Sequence, residues 1–553
     1  MSWSLAERES GLARAEREGL DLLVIGGGIA GAGVLRDAAS RGLRVLLVER
    51  EDFAAGTSGR SSKLIHGGLR YIAEGHLSVT REACRERDLL VRQNPYLVRP
   101  LPFLFPAFEG GRYPLWQVRS ALWIYEALAN FRRSARFRML RPEEVAAYSR
   151  DLRREGLRGA GLYQDAQVDD VRLVLETIRS ARALGGEAAN HAEVVEFERD
   201  VRGALIGARV YDTLAQRSYR LRSSAIVNAA GAAVERVRGL DRPVLQPELR
   251  PAKGVHLVIP RNRIHAQGAV TFPALDGRAL FLVPWNEVAL IGTTDTFSEE
   301  IDEPAVFIEE VHYLLGAVNE AFPGVSLTTN DLRSVFAGVR PLVAPPQSET
   351  PPSSVSREQR VYQDPSGLIS AAGGKLTTYR ATGEAIVDLV LRRLPRERRA
   401  SVGPSRTARL ALRTDSFVRA DLEAELRTGF GLAPSRGAHL VRTYGAAAQE
   451  LLATAAPALH GPIGSSRFTW AEVPWVFRTE CPATLCDLLE RRMRVVLFAD
   501  GQGLRSLDQI ARLAGEAAGW DAERTRAEAV AYADSVRRRY QIVPPRVSRR
   551  SAA

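Results

Sequence analysis

The sequence is short of cysteine and of long hydrophobic runs. Its 553 residues contain three cysteines, Cys84, Cys481 and Cys486. Their spacing fits neither a disulfide framework nor a metal site, so we predict a reducing compartment and no metal. No apolar run reaches the roughly 18 residues that a membrane span needs. Residues 1–20 are charged and lack the apolar stretch of a signal peptide, and we expect a short solvated helix or a frayed tail there.

Lysine is also scarce. Only three of the 76 basic residues are lysines, and the other 73 are arginines. An ammonium group is a compact point charge, whereas a guanidinium group is a wide planar fork. A lysine in this background is therefore predicted to mark a site where a guanidinium cannot serve. The three lysines are Lys63, Lys253 and Lys375.

The basic residues outnumber the acidic ones. The formal net charge is +11 and the isoelectric point is about 9.8. Such a balance favours anionic partners, such as phosphorylated metabolites, acidic lipids or nucleic acid, unless codon usage alone has raised the arginine content. No aromatic–basic recognition motif or zinc-finger spacing is present, so we predict no nucleic-acid partner.

A glycine-rich turn near the N-terminus carries the first functional motif. Residues 21–25 form an apolar run typical of a buried strand, residues 32–41 have a helical pattern, and residues 43–48 form a second strand. The turn between the first strand and the helix reads Gly26-x-Gly28-x-x-Gly31. A strand, a helix and a strand in fewer than 30 residues predict a dinucleotide-binding βαβ unit.

Each residue of this motif has a predicted task. Gly26 permits the tight turn, Gly28 lets the backbone approach a pyrophosphate, and Gly31 lets the helix pack against the strand. The helix N-terminus offers N–H donors and a positive dipole to the phosphates. Glu49 ends the second strand, where a carboxylate can bind a ribose diol. A carboxylate there favours FAD or NAD over NADP.

Two further glycine-ended strands favour FAD over NAD. One is Ala225–Gly231, and the other is the junction at 371–378, which opens another helix. The N–H groups of the second junction could face the flavin pyrimidine ring, where negative charge develops on reduction. The predicted cofactor contacts in these two segments are Gly231, Gly373, Gly374, Lys375, Leu376 and Thr377.

Several segments together resemble a known family. The string Ser61–Tyr71, SSKLIHGGLRY, is the most specific of them. The others, in order from about residue 20 to 395, are Asp21–Gly33, Lys253–His256, Gly292–Asp295, Gly338–Leu342 and Gly373–Arg380. In this order and spacing they resemble the aerobic, FAD-dependent glycerol-3-phosphate dehydrogenases, and a weaker similarity continues at residues 487–492.

The resemblance implies a fold with three parts. We expect an α/β plus α+β protein in which a Rossmann-like FAD-binding domain is interleaved with a mainly antiparallel-sheet substrate domain and followed by a helical C-terminal domain. The expected FAD-binding segments are 21–94, 166–235 and 335–394. The expected substrate-binding segments are 95–165 and 236–334. A linker at 395–406 would lead to the helical domain at 407–553, whose last residues, 547–553, we expect to be disordered.

The resemblance also implies a reaction and its residues. Glycerol 3-phosphate would be oxidised to dihydroxyacetone phosphate by hydride transfer from C2 to flavin N5. Arg70 and Arg340 would hold the phosphate, with Tyr71 nearby, because a phosphate dianion favours bidentate arginines. His256 would titrate near neutral pH and accept the C2 hydroxyl proton.

The remaining site residues follow from the same resemblance. Thr294 would hydrogen-bond the substrate, and Lys375 would lie near the flavin and stabilise its anionic reduced form or the substrate oxygen. Arg340 and Lys375 are thus counted with His256 as catalytic. The predicted flavin-loop contacts are Ser61, Ser62, Lys63, Leu64 and His66, and Val194 is a further predicted FAD contact.

The electron acceptor and the location follow only from the resemblance. We expect electrons to pass to a quinone and the protein to lie peripherally on the cytoplasmic face of the cell membrane. Aromatic and arginine residues at 115–138 could lie on anionic lipid, or could form a domain-packing helix. A homodimer stays open. So do two other reactions: oxidation by oxygen instead of quinone, and a flavoenzyme of the same fold acting on another hydroxy or amino compound.

Overall fold

Two large mixed β-sheets, a two-stranded sheet and a block of helices make up the described part of the protein. The computed structural model describes residues 3–73, 75–129, 136–244, 249–343, 359–413 and 417–544. The predicted disordered end, 547–553, and part of the aromatic–arginine segment lie outside these ranges. Within them, no helix is both long enough and apolar enough to cross a membrane.

The strands and helices of these ranges are numbered in chain order. The strands are β1 (Leu20–Ile25), β2 (Val45–Val48), β3 (Leu64–Ile65), β4 (Arg99–Phe108), β5 (Arg138–Leu140), β6 (Leu157–Gln167), β7 (Glu187–Ala189), β8 (Ala192–Arg199), β9 (Leu205–Asp212), β10 (Arg217–Asn228), β11 (Ala252–Pro260), β12 (Ala269–Pro273), β13 (Ala279–Trp285), β14 (Val288–Gly292), β15 (Thr296–Phe297), β16 (Val306–Phe307), β17 (Ser334–Arg340), β18 (Arg360–Gln363), β19 (Ile369–Ala372) and β20 (Ile542–Val543). The helices are α1 (Leu5–Glu18), α2 (Ile29–Ser40), α3 (Arg70–Ala73), α4 (Leu77–Gln93), α5 (Leu115–Leu128), α6 (Pro142–Tyr148), α7 (Asp170–Ala183), α8 (Val234–Asp241), α9 (Ile308–Ala321), α10 (Tyr379–Leu391), α11 (Arg396–Ala400), α12 (Arg419–Phe430), α13 (Pro434–Tyr444), α14 (Ala447–Ala453), α15 (Glu472–Thr479), α16 (Val495–Phe498), α17 (Leu507–Ala518) and α18 (Ala522–Arg539).

The first sheet contains the predicted βαβ unit. Its order is β18-β19-β10-β1-β2-β7, and β19, β10, β1, β2 and β7 run parallel. Every residue of β1 and β2 is buried, as expected for parallel strands covered on both faces. The predicted strand at 225–231 is the end of a longer strand, β10, which begins at Arg217 and ends at Asn228. Its first half pairs antiparallel with β9 and its second half pairs parallel with β1.

The second sheet is mainly antiparallel, in the order β15-β11-β14-β13-β12-β4-β6-β3. Strand β17 pairs antiparallel with β11 along seven residues. The start of the predicted FAD-binding segment 335–394 therefore lies in the second sheet, because β17 completes it. The interleaved α/β and antiparallel architecture with a helical C-terminal region is confirmed, whereas the exact domain boundaries stay predictions.

The N-terminal segment forms the predicted short helix, α1, but this helix is packed against the first sheet, so the expectation that the segment is solvated or frayed was wrong. The Ser4 side chain and Glu7 form a capping box that starts α1. Arg8 forms an ion pair with Asp212 at 2.8 Å, and Leu12 is fully buried. The many charged residues of this segment led to the prediction that it is exposed. Arg8 can nevertheless be buried, because the fold places the carboxylate of Asp212 beside it.

The helical C-terminal region docks on the first sheet through a π-helical turn, Asp487–Arg492. Arg491 and Arg492 both donate hydrogen bonds to buried Asp52, and His191 lies 2.8 Å from Asp487. Ligand atoms of Asp52, His191 and Asp487 lie within 4.8 Å of one another. The two arginines already balance these carboxylates, which disfavours a cation there. The prediction of no metal stays a prediction.

Candidate active site

A cavity of about 1150 Å³ is lined by residues of both sheets. Most of the residues predicted from the sequence line it. They are Gly26, Gly28, Glu49, Ser61, Ser62, Leu64, His66, Arg70, Tyr71, Val194, Gly231, His256, Arg340, Gly373, Gly374, Lys375 and Leu376. Four predicted residues, Gly31, Lys63, Thr294 and Thr377, do not line it. The fold thus brings together segments that lie more than 300 residues apart in the chain.

The glycines at one end of the cavity leave no space for side chains. Gly26 has a φ of +111°, and a Cβ atom there would lie 2.6 Å from the carbonyl oxygen of Ala229. A Cβ at Gly31 would lie 1.9 Å from the Gly26 oxygen, so this glycine lets α2 approach β1. Gly28 caps the N-terminus of α2 and lines the cavity. The backbone and helix dipole are therefore directly accessible to a pyrophosphate, and the site fits a dinucleotide.

Glu49 lies beside this glycine turn. Its carboxylate accepts hydrogen bonds from the backbone N–H groups of Gly27, at 2.6 Å, and Glu51, at 2.9 Å. Burial raises the pKa of Glu49, although these two hydrogen bonds act in the opposite direction. The two bonds hold the carboxylate at the cavity wall, where it can accept hydrogen bonds from a diol.

Arg340 presents its guanidinium at the other end of the cavity. Its Nη1 donates to Asp295 at 2.7 Å, and its Nη2 donates to the Thr293 hydroxyl at 3.2 Å. Gly254, on the neighbouring strand β11, lies directly against the guanidinium: a Cβ there would be 2.6 Å from Nη2. The Arg340 guanidinium is therefore held by the Asp295 carboxylate, the Thr293 hydroxyl and the backbone of Gly254. These contacts fix the orientation in which it could bind an anion.

His256 lines the cavity on β11, but its electrostatics differ from the sequence prediction. Its Nε2 lies 2.8 Å from the Ser62 hydroxyl, and its ring stacks on Phe336 with centroids 4.8 Å apart. Burial, together with the positive charges of Arg340 and Lys63, lowers the pKa of His256 to about 3. The expectation that it titrates near neutral pH was wrong, because the sequence did not show this burial or the two nearby cations.

Lys375, Tyr71 and Arg70 form a third group. The Lys375 ammonium lies 3.8 Å from the centroid of the Tyr71 ring, a cation–π contact. Tyr71 is buried, and its neighbour Arg70 is exposed with its guanidinium carbon 5.8 Å from the same ring. Two cations thus lie close to one aromatic ring at the cavity wall.

The other two lysines are buried ion pairs outside the cavity wall. Lys63 is fully buried and donates to Asp170 at 2.6 Å and to the Gly59 carbonyl at 3.0 Å. Burial lowers the pKa of Lys63 to about 8, against the opposing charge of Asp170. Lys253 pairs with Glu310 at 2.8 Å. The side chain of Lys63 therefore holds the adjoining loop through Gly59 and Asp170 and does not line the cavity, and its contact with FAD stays a prediction.

Two predicted threonines also have structural partners. The Thr294 hydroxyl accepts the N–H of Val255 at 2.9 Å, and it is the preceding Thr293 that lines the cavity. The Thr377 hydroxyl accepts the N–H of His66 at 3.1 Å and so joins two cavity loops. The sequence analysis missed Thr293 and Asp295 as site residues, although both lie in the quoted segment Gly292–Asp295. The pairing of β11 with β14 and β15 on one side and with β17 on the other places them against Arg340.

Comparison with known proteins agrees with this geometry. A family model described as "FAD dependent oxidoreductase" matches residues 21–389, and one described as "C-terminal domain of alpha-glycerophosphate oxidase" matches residues 405–525. The aerobic glycerol-3-phosphate dehydrogenase of Staphylococcus aureus is 36% identical over 462 residues, which cover 82% of each chain. This chain belongs to the FAD-dependent glycerol-3-phosphate dehydrogenase and oxidase family. It is an oxidoreductase, and its cofactor is FAD.

Solved structures extend the family similarity along nearly the whole chain. The glycerol-3-phosphate dehydrogenase of Bacillus halodurans, complexed with FAD, superposes with a TM-score of 0.79 at 29% identity and covers 97% of this chain and 98% of its own. The FAD-bound L-alpha-glycerophosphate oxidase of Mycoplasma pneumoniae gives a TM-score of 0.54 at 19% identity, covering 68% of this chain and 95% of its own. The second similarity shows the fold alone.

Proposed function

We propose that the protein oxidises sn-glycerol 3-phosphate to dihydroxyacetone phosphate. The observation that carries this proposal is the position of Arg340 at the cavity wall, held by Asp295 and Thr293. A doubly charged phosphate needs oriented cations, and the wall also carries Arg70 and Lys375. An amine or a small carboxylate would not need this many positive groups, so the charge favours a phosphorylated substrate.

In this reaction the residues of the cavity bind the phosphate and accept the proton of the C2 hydroxyl. When bound, FAD supplies the acceptor for the hydride of C2. Arg340 and Arg70 bind the phosphate and thereby orient the glycerol backbone. His256 is neutral, so its Nε2, which now faces the Ser62 hydroxyl, accepts the proton of the C2 hydroxyl. Arg340 is one cause of the low pKa of His256, so a phosphate bound to Arg340 would offset that charge and strengthen the base.

The proposal is tested by anaerobic addition of glycerol 3-phosphate to the purified, FAD-loaded protein. We expect loss of the oxidised-flavin absorbance within the mixing time. The flavin should stay oxidised when glycerol or lactate is added at the same concentration. Glycerol lacks the phosphate, and lactate lacks both the phosphate and the glycerol backbone. If a fully loaded sample keeps its absorbance with glycerol 3-phosphate, the substrate assignment fails while the cofactor assignment stands.

We propose a quinone as the electron acceptor, as the resemblance to the aerobic, FAD-dependent glycerol-3-phosphate dehydrogenases implies. Oxygen is the alternative, supported by the oxidase description that matches residues 405–525. The two are separated by turnover in air with and without a soluble quinone. Quinone-dependent turnover with little peroxide supports the dehydrogenase, and stoichiometric peroxide without quinone supports the oxidase.

We propose that α5 rests on an anionic membrane surface on the cytoplasmic face. Trp116 and Trp123 are 66% and 58% exposed and, with Arg119, share one helical face; Trp116 also lines the cavity. The wild type should sediment with anionic vesicles at low salt. A Trp116→Ser/Trp123→Ser variant should stay in solution, whereas Val530→Ser, which removes an equally exposed apolar side chain on α18, should still sediment. Equal sedimentation of all three would contradict the proposal.

A further inference from the structure

A loop of the second sheet lies along the dinucleotide end of the cavity. We define residues 298–307 as the strap; Ile301 and Asp302 within it line the cavity. The Glu300 carboxylate accepts the backbone N–H groups of Asp302, at 3.0 Å, and Glu303, at 3.2 Å. This local turn fixes two neighbouring carboxylates, Asp302 and Glu303, which bind different parts of the molecule.

Asp302 binds the part of the chain that carries the glycine turn. It accepts hydrogen bonds from Arg50 and from Arg236, the latter at 2.9 Å. Arg50 directly follows Glu49, Arg236 lies in the first turn of α8 shortly after Gly231, and both arginines line the cavity. Burial alone would raise the pKa of Asp302, but the hydrogen bonds and charges of Arg236 and Arg50 lower it, so the carboxylate is ionised.

Glu303 binds the C-terminal helix instead. It accepts hydrogen bonds from Arg539 at 2.6 Å and from Arg538 at 3.2 Å, and it does not line the cavity. The strap ends in β16, which pairs in parallel with β20 near the end of the described chain. The end of the C-terminal region is therefore attached to the element that lies over the cavity edge.

We propose that the strap is a latch that retains FAD, and that the C-terminal helix α18 and strand β20 hold this latch closed. Asp302 is then a positioning residue: it holds Arg50 and Arg236 along the cavity edge, so that the dinucleotide cannot leave before these ion pairs break. The proposal gives residues 522–543 a role in cofactor retention. It rests on FAD binding, which family membership shows, and is independent of the proposed substrate.

The test measures FAD release from the holoenzyme by the rise in free-flavin fluorescence after dilution. We expect Asp302→Asn to release FAD about three- to tenfold faster, since the ion pairs are partly exposed and each contributes modestly. Glu303→Gln, which weakens the attachment of the strap to α18, should also accelerate release. High salt should accelerate release from the wild type and have less effect on Asp302→Asn, because its ion pairs are already lost.

The matched control is Asp331→Asn. It breaks a comparable ion pair, Asp331 with Arg263 at 2.8 Å, and neither residue lines the cavity. Melting temperatures of the FAD-free proteins separate a latch effect from general destabilisation. Release from Asp302→Asn at the wild-type rate overturns the latch. If Asp302→Asn releases FAD faster but Glu303→Gln does not, the strap still retains FAD, and the claim that the C-terminal helix α18 holds it closed is overturned.

Discussion

Gly254→Ala should disable the proposed phosphate site without changing any charged or polar side chain. A Cβ at this position would lie 2.5 Å from the Thr293 hydroxyl and 2.6 Å from Nη2 of Arg340. Ordinary contacts are about 3.5 Å, so the guanidinium must move by about 1 Å. A displacement of this size in a positioning group costs roughly 100-fold in rate. We therefore expect kcat/KM for glycerol 3-phosphate to fall by about two orders of magnitude.

The assay follows reduction of a soluble dye acceptor over a range of substrate concentrations, with FAD content measured for each sample. The change should cost about 1–3 kcal/mol of stability, which a melting curve detects. Gly316→Ala on α9 is the matched control, because no described atom beyond its chain neighbours and the nearby backbone of its own helix lies within 4 Å of the position that its new methyl group would take. A folded, FAD-loaded Gly254→Ala enzyme with kcat/KM within twofold of the wild type would refute the reasoning that Arg340 is held by close packing.

Two further predictions concern buried charges. The folded-state pKa of His256, about 3, lies below its ordinary value of 6.5, so neutral His256 contributes fully to the free energy of unfolding above pH 6.5, and this contribution is lost as the pH falls toward 3. His256→Asn should therefore flatten the acid-unfolding curve between these pH values. An unchanged curve would contradict the low pKa. Lys63→Met leaves Asp170 without its ammonium partner in a fully buried site, so the free energy of unfolding in denaturant should fall by about 3–5 kcal/mol. The double variant Lys63→Met/Asp170→Asn should recover part of this loss. Additive losses from the two single changes would argue against the ion pair.

Local signals in the sequence were enough to predict the cofactor end of the site. The turn Gly26-x-Gly28-x-x-Gly31 requires glycine for steric reasons that operate within a few residues, and the strand and helix around it have the matching periodicity. Glu49 ends the next strand, and it lies close to this turn because neighbouring parallel strands end at the same edge of a sheet.

The substrate end could be predicted only in part. The family resemblance pointed to Arg70, His256 and Arg340, and all three line the cavity. It also pointed to Thr294, whereas Thr293 lines the cavity. Adjacent residues on an extended segment face opposite sides, so the register of β11 with its neighbours decides which threonine is available.

Motifs and periodicity were sufficient to predict the dinucleotide turn, and the family resemblance implied the fold class and the helical C-terminal domain. The burial of His256, the different surroundings of Lys63 and Lys375, and the position of the strap are properties of the folded molecule. These features depend on residues that are distant in the chain. Lys63 and Asp170 are 107 residues apart and Arg50 and Asp302 are 252 apart, so the burial and charge that define each group exist only after folding.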